Sequence, residues 1–192
     1  MKNRVLISII AICTTGYLSA QKQLHIDPSK SELKWYGTDV LNLGGHQGVV
    51  HFKKGYFIKT NSKITGGVFI IAMNTIASIE KNGVDYDNGL VDHLKNEDFF
   101  DVKKYPTSKL VITDTRYHDA THLWVNASLT IKGVTLPIKF QAEVDFKNQQ
   151  MTTLFKIDRT RWGITYESQK YSIQLKDKAI SDMIDFEVKL SL

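Results

Sequence analysis

The sequence is short of cysteine: Cys13 is the only one among 192 residues. It lies within an N-terminal segment typical of a cleavable leader. Two basic residues begin that segment, an apolar run follows at residues 5–12, and a cleavage position lies after Ala20. Removal of this signal peptide, residues 1–20, predicts one mature domain of residues 21–192 without any thiol. Such a domain has no disulfide, no thiol nucleophile and no thiolate metal site.

Long hydrophobic runs are also absent. The apolar part of the leader is far shorter than the roughly 20 residues that a membrane-spanning helix needs, and a polar chain follows it at once. The sequence therefore predicts an exported protein without a transmembrane segment. The expected location is the periplasm, and secretion is the alternative.

Positive charge is not concentrated anywhere along the chain. The net charge is +5, and removal of Lys2 and Arg4 with the leader lowers it to +3. Lysines such as Lys139, Lys147 and Lys189 stand singly between apolar residues, which is typical of the solvated face of a sheet. No basic stripe interleaved with aromatics is present, and nucleic acid is excluded as a partner.

Motifs for catalysis and metal binding are missing as well. The sequence has no G-x-S-x-G elbow, no glycine-rich phosphate loop before a helix and no H-E-x-x-H pair. His118 and His122 are four residues apart, but the Asp-Ala-Thr between them predicts a hairpin turn. We therefore expect no catalytic residue, no metal site and no cofactor.

Alternation of apolar and polar residues is what the sequence has in abundance. It is cleanest in "PIKFQAEVDFK" (137–147) and "MIDFEVKLSL" (183–192), each with one apolar and one polar face. Noisier segments bring the total to eight to ten short antiparallel strands, a number that can close into a barrel. Turns are expected at Lys54-Gly55, "TNSKITGG", "HDATH", Lys132-Gly133 and "KNQQ".

The stretch "VDHLKNEDFFDVKKYP" (91–106) interrupts this alternation. Leu90, Val91 and Leu94 follow helical spacing, and the pattern ends near Asp98, just before two adjacent phenylalanines. A short helix with an aromatic pair behind it can cover a barrel mouth. Alternatively, the stretch is a plain connection whose phenylalanines fill the core.

Five segments in this order carry a resemblance to a known family: "LKWYG", "GGHQG", "DHLKNEDFFDVKKYP", "LTIKGVTLPIKF" and "DRTRWGI". Behind a signal peptide, they resemble the YceI-like family of exported lipid-binding proteins, from about Leu24 to Leu192. The resemblance implies an all-β fold, an extended antiparallel lipocalin-like barrel of about eight strands with one short capping helix. It also implies an apolar cavity that holds an isoprenoid-type or fatty amphiphile.

Candidate site residues follow from alternation within such a barrel. We expect the cavity to be lined by Leu33, Trp35, Val50, Phe69, Ile71, Met73, Leu129, Phe140 and Phe155. His46 and His93 fall in irregular segments and are the candidates for polar groups at the mouth. Arg159 is expected to brace the loop that follows it, through carboxylate or carbonyl groups.

The function expected is sequestration or transport of a lipid, such as an isoprenoid quinone or a fatty lipid, without catalysis. The partner is then a small-molecule lipid, with scope for transient contact with a membrane. The oligomeric state stays open, a homodimer included. Two other functions also stay open: an enzyme with His46 or His93 as general base, and a structural or stress-related barrel packed too tightly for a ligand.

Overall fold

The alternating segments form strands in the computed structural model, which describes residues 21–40, 44–79, 88–168, 170–171 and 179–192. The expected leader lies outside the described residues. The chain also forms one α-helix, α1 (Asn88–Lys95), and one turn of 3-10 helix (Arg159–Trp162). The strands are β1 (Lys22–His25), β2 (Glu32–Asp39), β3 (Gly45–Thr60), β4 (Lys63–Ser78), β5 (Thr107–Tyr117), β6 (His122–Ile131), β7 (Val134–Asp145), β8 (Gln150–Asp158) and β9 (Ile180–Ser191).

Strands β2 to β9 close into an eight-stranded antiparallel barrel. Each pairs with its neighbours along the chain, and β2 pairs with β9 to complete the ring, with Leu33 opposite Val188. Strand β1 lies outside the ring and pairs with residues 56–59 of β3. Closure leaves each strand of the ring with two neighbours, which removes the exposed edges that promote aggregation. The predicted fold class is therefore confirmed.

The two ends of the barrel are built differently. Because neighbouring strands are antiparallel, three short turns (residues 61–62, 118–121 and 146–149) share one end, here called the hairpin end. The described residues 88–106 and 159–168 of the two long connections lie at the opposite end with the turn at 132–133, and β2 ends and β3 begins there too. This opposite end carries α1 and the 3-10 helix, and we call it the helix end.

The predicted helix forms from the start of the interrupting stretch and the three residues before it, and lies at the helix end. Helix α1 packs against β4, and Leu94 and Phe99 are buried in the core. The helix ends earlier than predicted because Asn96 begins a turn, in which its side-chain oxygen accepts from the backbone N–H of Asp98 at 2.9 Å. No helix among the described residues is long and apolar enough to cross a membrane.

The turn predicted at Lys54-Gly55 is wrong. Strand β3 continues through both residues, and its register against β4 shifts between Phe52 and Lys54, as in a β-bulge. A Cβ atom on Gly55 would lie 2.4 Å from Cδ1 of Phe69. Glycine is therefore required here by close packing, and the chain does not reverse.

Strands β7 and β8 have the shortest ladder of the ring. Only the three residue pairs next to the turn at 146–149 are matched. Beyond them, Thr153 Oγ1 donates to the backbone carbonyl of Gln141 at 2.6 Å, and the rings of Phe140 and Phe155 stack with centroids 4.9 Å apart. Side chains thus hold this part of the wall where the backbone ladder stops.

Candidate functional site: an apolar cavity

The barrel encloses a cavity of about 490 Å³ to which all eight strands of the ring contribute side chains. Successive residues of a strand point to opposite faces, so the apolar set of each alternating strand faces the interior. The volume falls within the range of roughly 300–1,000 Å³ found for small-molecule sites. The sequence left open a structural barrel that is packed too tightly for a ligand. The cavity shows that this barrel is not completely packed.

All nine apolar residues predicted for the interior lie along this cavity. Seven of them are buried, while Trp35 and Phe155 are partly buried. They are Leu33 and Trp35 on β2, Val50 on β3, Phe69, Ile71 and Met73 on β4, Leu129 on β6, Phe140 on β7 and Phe155 on β8. Alternation located them because alternate residues on a strand share a face. Their contact with a ligand remains a prediction.

Sequence reasoning missed several lining residues, among them Phe52 and Phe57 on β3, Leu110 and Ile112 on β5, and two further groups. The first is the inward face of β9, from Ile184 to Leu190, whose alternation was recognised but not assigned to the cavity. The second comes from α1 and the turn behind it, where Leu94, Phe99 and Phe100 reach the cavity. The first group had a signal in the sequence, whereas the second depends on how α1 folds over the barrel.

Aromatic side chains shape the hairpin end of the cavity. The Phe69 ring lies edge-on to Phe57, with centroids 4.9 Å apart, and edge-on to Phe52 at 6.4 Å. Phe57 is 1% exposed. Such tilted contacts are preferred by the quadrupoles of aromatic rings. These three rings from β3 and β4 line the deep part of the cavity.

One polar pair interrupts the apolar wall. The hydroxyl of the buried Ser108 donates to Sδ of Met73 at 3.1 Å. A buried hydroxyl without any partner is costly, and the thioether is a weak acceptor that reduces this cost. The Ser108 hydroxyl is thereby satisfied, whereas Nε1 of Trp35, another lining residue, is buried without a hydrogen-bond partner among the described residues.

Polar side chains gather at the helix end of the cavity. Apart from Ser108 and Thr153, the polar residues that line it are Thr38, Asp39, His46, Arg159, Glu167 and Ser181. They come from the end of β2, the start of β3, the 3-10 helix, the segment that follows it and the start of β9. The cavity is therefore apolar in its depth and polar at its mouth.

Arg159 is the most buried charged group of this mouth, with 1% of its surface exposed. Its Nε donates to the carbonyl of Ser181 at 3.0 Å, Nη1 to that of Ile164 at 3.0 Å and Nη2 to that of Ile180 at 3.2 Å. Nη2 also lies 3.7 Å from Asp182 Oδ1. The prediction that Arg159 braces the following loop is correct.

Local sequence explains why Arg159 is held in this way. Asp158 caps the 3-10 helix, and its Oδ1 accepts from the backbone N–H of Thr160 at 2.9 Å. Gly163 ends the helix in the left-handed region, with φ of 74°. Burial lowers the pKa of the Arg159 guanidinium, while Asp182 acts in the opposite direction. Arginine starts from so high a pKa that the group stays charged.

The two candidate histidines lie in different places. His46 lines the mouth, is exposed, and pairs with Gly37 across β2 and β3. His93 is not among the cavity-lining residues. Its Nε2 lies 3.3 Å from Asp98 Oδ2, and its ring packs edge-on against Phe99 and Tyr166. The structure therefore brings only His46 to the mouth.

This chain is similar in sequence to known proteins. A relative from Shewanella denitrificans, named a UPF0312 protein, is 30% identical over 88 residues, which cover 46% of this chain and 44% of the relative. The matched segment thus spans less than half the length of that relative.

Solved structures share the fold at low sequence identity. BcnA of Burkholderia cenocepacia superimposes with a TM-score of 0.68 and 17% identity, over 86% of this chain and 98% of that one. A polyisoprenoid binding domain from Saccharophagus degradans gives a TM-score of 0.60 and 11% identity, over 90% and 97%. The sequence itself matches the YceI-like domain over residues 24–192. This chain therefore belongs to the YceI-like domain family.

Proposed function

We propose that this protein binds an isoprenoid-type or fatty amphiphile inside its barrel and carries or sequesters it without catalysis. The observation that carries the proposal is the cavity of about 490 Å³, apolar in its depth and polar at its mouth. An amphiphile has the same distribution of polarity, with an apolar hydrocarbon chain and a polar head group. The binding described for the Saccharophagus degradans domain, which shares the fold, supports the same ligand class.

The size of the cavity sets the length of chain that fits. If a methylene group takes about the volume of a water molecule, roughly 30 Å³, a cavity of about 490 Å³ holds about 16 chain carbons. Burial of a methylene contributes about 0.8 kcal/mol. Ten buried carbons therefore contribute about 8 kcal/mol before the costs of association and ordering. The roughly 16 carbons that fit contribute about 13 kcal/mol, and an association cost of about 4–5 kcal/mol still leaves roughly micromolar binding without a charged anchor.

The orientation of the ligand follows from the polar groups. The hydrocarbon chain extends towards Phe57 and Phe69 at the hairpin end, and the head group stays at the helix end near His46 and Arg159. His46 then serves as a hydrogen-bonding partner of the head group. Of the two bases considered, His93 is held by Asp98 away from the cavity, which favours a carrier over an enzyme.

The proposal includes a periplasmic location, for which the leader sequence at residues 1–20 is the support. Fractionation of the host cells and N-terminal sequencing test it. We expect the mature protein in the periplasmic fraction, beginning at Gln21. A cytoplasmic protein with an intact leader would contradict this part of the proposal.

The ligand is tested by native mass spectrometry of protein purified from its own host, followed by solvent extraction of the bound material. A stoichiometric adduct with a long hydrocarbon chain supports the carrier function and identifies the lipid. The apo protein is then offered isoprenoid quinones and fatty amides of graded length. A clean apo mass together with no uptake from either series would refute the proposal.

A further inference from the structure

The hairpin between β5 and β6 brings three metal-ligating side chains together. It lies at the hairpin end of the barrel, opposite the mouth. We propose that His118, Asp119 and His122 form a binding site for a divalent first-row transition cation, Cu²⁺ or Zn²⁺. The nearest ligand atoms of the three side chains all lie within 4.8 Å of one another. The proposal is independent of lipid binding, because none of the three lines the cavity.

The loop backbone fixes the carboxylate of this cluster. Oδ1 of Asp119 accepts from the backbone N–H groups of Thr121 and His122 at 2.8 Å and 2.7 Å. These two hydrogen bonds hold the pKa of Asp119 well below its usual range, so the group is ionised. Oδ1 is thus held by the turn, although it also lies 3.1 Å from Nδ1 of His122, and Oδ2 faces both histidines.

Both imidazoles lie close to the Oδ2 oxygen of Asp119. Asp119 Oδ2 is 2.9 Å from Nδ1 of His122 and 4.0 Å from Nε2 of His118. The two rings are stacked, with centroids 5.6 Å apart and an interplanar angle of 29°. Tetrahedral ligands at about 2.0–2.1 Å from a metal are about 3.3 Å from one another. Small rotations of these side chains therefore bring all three atoms to coordination distance.

The rest of the loop is held in place around the cluster. The N–H of His118 donates to the carbonyl of His122 at 3.1 Å, and the N–H of Val144 donates to the carbonyl of Thr121 at 2.8 Å. The loop backbone is therefore anchored on both β6 and β7. Meanwhile about half of each ligating side chain is exposed, which leaves room for water in the remaining coordination positions.

The donor set selects the class of metal. Two imidazole nitrogens and one carboxylate oxygen suit Zn²⁺ and Cu²⁺, whereas Ca²⁺ and Mg²⁺ prefer oxygen ligands. The Irving–Williams order places Cu²⁺ above Zn²⁺ for the same site. The sequence predicted a plain hairpin here, and it is this hairpin that brings the ligands together.

The test is isothermal titration of the protein with CuCl₂ and with ZnCl₂ in a non-coordinating buffer. The protein is expressed from its full-length sequence without an affinity tag, because a histidine tag would bind the same ions. We expect one site per chain, tighter for Cu²⁺ than for Zn²⁺, and no heat from MgCl₂ or CaCl₂. Electron paramagnetic resonance of the Cu²⁺ form should show nitrogen hyperfine coupling from imidazole.

Variants assign the site to these residues. The double variant His118→Ala/His122→Ala should lose roughly 100-fold in affinity, since even outer-shell partners are worth 10–100-fold. Asp119→Asn retains an acceptor for the turn but loses the charge, and should weaken binding without unfolding the hairpin. His51→Ala removes an exposed histidine on β3 and should change nothing. Wild-type affinity no tighter than that of the folded double variant, or Cu²⁺ bound without nitrogen ligands, overturns the proposal.

Discussion

Gly37 offers the sharpest test of where a ligand lies. It follows Leu33 and Trp35 on the inward face of β2 and lines the cavity near its mouth. A Cβ atom placed on it would meet no atom within 4 Å, and its φ lies outside the left-handed region. Gly37→Phe should therefore project a benzyl group towards the cavity from an unobstructed Cβ position, and we expect the barrel to stay folded.

The loss of affinity follows from the volume that this side chain takes. Seven added carbons at roughly 30 Å³ each occupy about 200 Å³, which is about two fifths of the 490 Å³ cavity. Displacing as few as three methylenes of the ligand removes about 2.4 kcal/mol. Affinity for a long-chain amphiphile should therefore fall by roughly 50-fold or more.

Displacement of a fluorescent fatty probe by alcohols of graded chain length measures this effect. Gly37→Ala is the matched control, because it adds a single carbon in the same open space and should bind within about twofold of wild type. Thermal unfolding should show both variants at least as stable as the parent, because glycine inside a strand is unfavourable by roughly 0.5–1 kcal/mol. Wild-type affinity in a folded Gly37→Phe variant would refute the reasoning that the ligand lies in this cavity.

Three further substitutions test the structure around the cavity. Arg159→Ala removes the donor to three carbonyls, of which that of Ile164 is buried and those of Ile180 and Ser181 are part-buried. It should lower the free energy of unfolding by about 3 kcal/mol or more in urea titration. A loss below about 1 kcal/mol would contradict the bracing role of Arg159. Trp162→Phe removes the indole N–H that donates to the Leu129 carbonyl at 3.2 Å. It should lower the free energy of unfolding by about 1 kcal/mol in the same titration. Unchanged stability would contradict this expectation. His46→Ala should weaken lipid binding by about tenfold at most, because that is the value of one hydrogen bond. If the wild type converts a bound ligand and this variant leaves it intact, the result favours an enzyme instead.

Alternation predicted the cavity well because it depends on one strand at a time. The inward faces of β4 and β7 can be read from residues such as Phe69, Ile71 and Phe140 without knowing which strands are neighbours. Barrel closure then converts each inward face into part of one cavity. For this reason the nine predicted residues lie along the same cavity.

Turn chemistry was less informative because the same dipeptide serves two purposes. Lys132-Gly133 forms a hairpin turn with positive φ values of 48° and 77°. Lys54-Gly55 lies inside β3, where the Phe69 ring occupies the space of a side chain. Nothing in the local sequence separates the two, since the difference lies in a residue on another strand.

The mouth was the least predictable part of the site. Its polar groups come from chain segments that are distant in sequence, such as His46 and Glu167, and they meet only in the folded barrel. His93 was placed there because its segment is irregular. Its actual partner is Asp98, five residues further along the same segment. Sequence reasoning identifies irregular segments but not the direction in which their side chains point.

Because β2 pairs with β9, the barrel can close only after both strands have been synthesised. The two strands are about 150 residues apart, and the hydrogen bond from Tyr36 to Glu187 spans 151 positions. Bringing such distant segments together costs about 4–5 kcal/mol in loop-closure entropy. A growing polypeptide that has not yet reached residue 191 leaves one edge of β2 and one edge of β8 open. The cavity is therefore completed only when the last strand of the ring has been synthesised, and a nascent chain presents no site to a lipid.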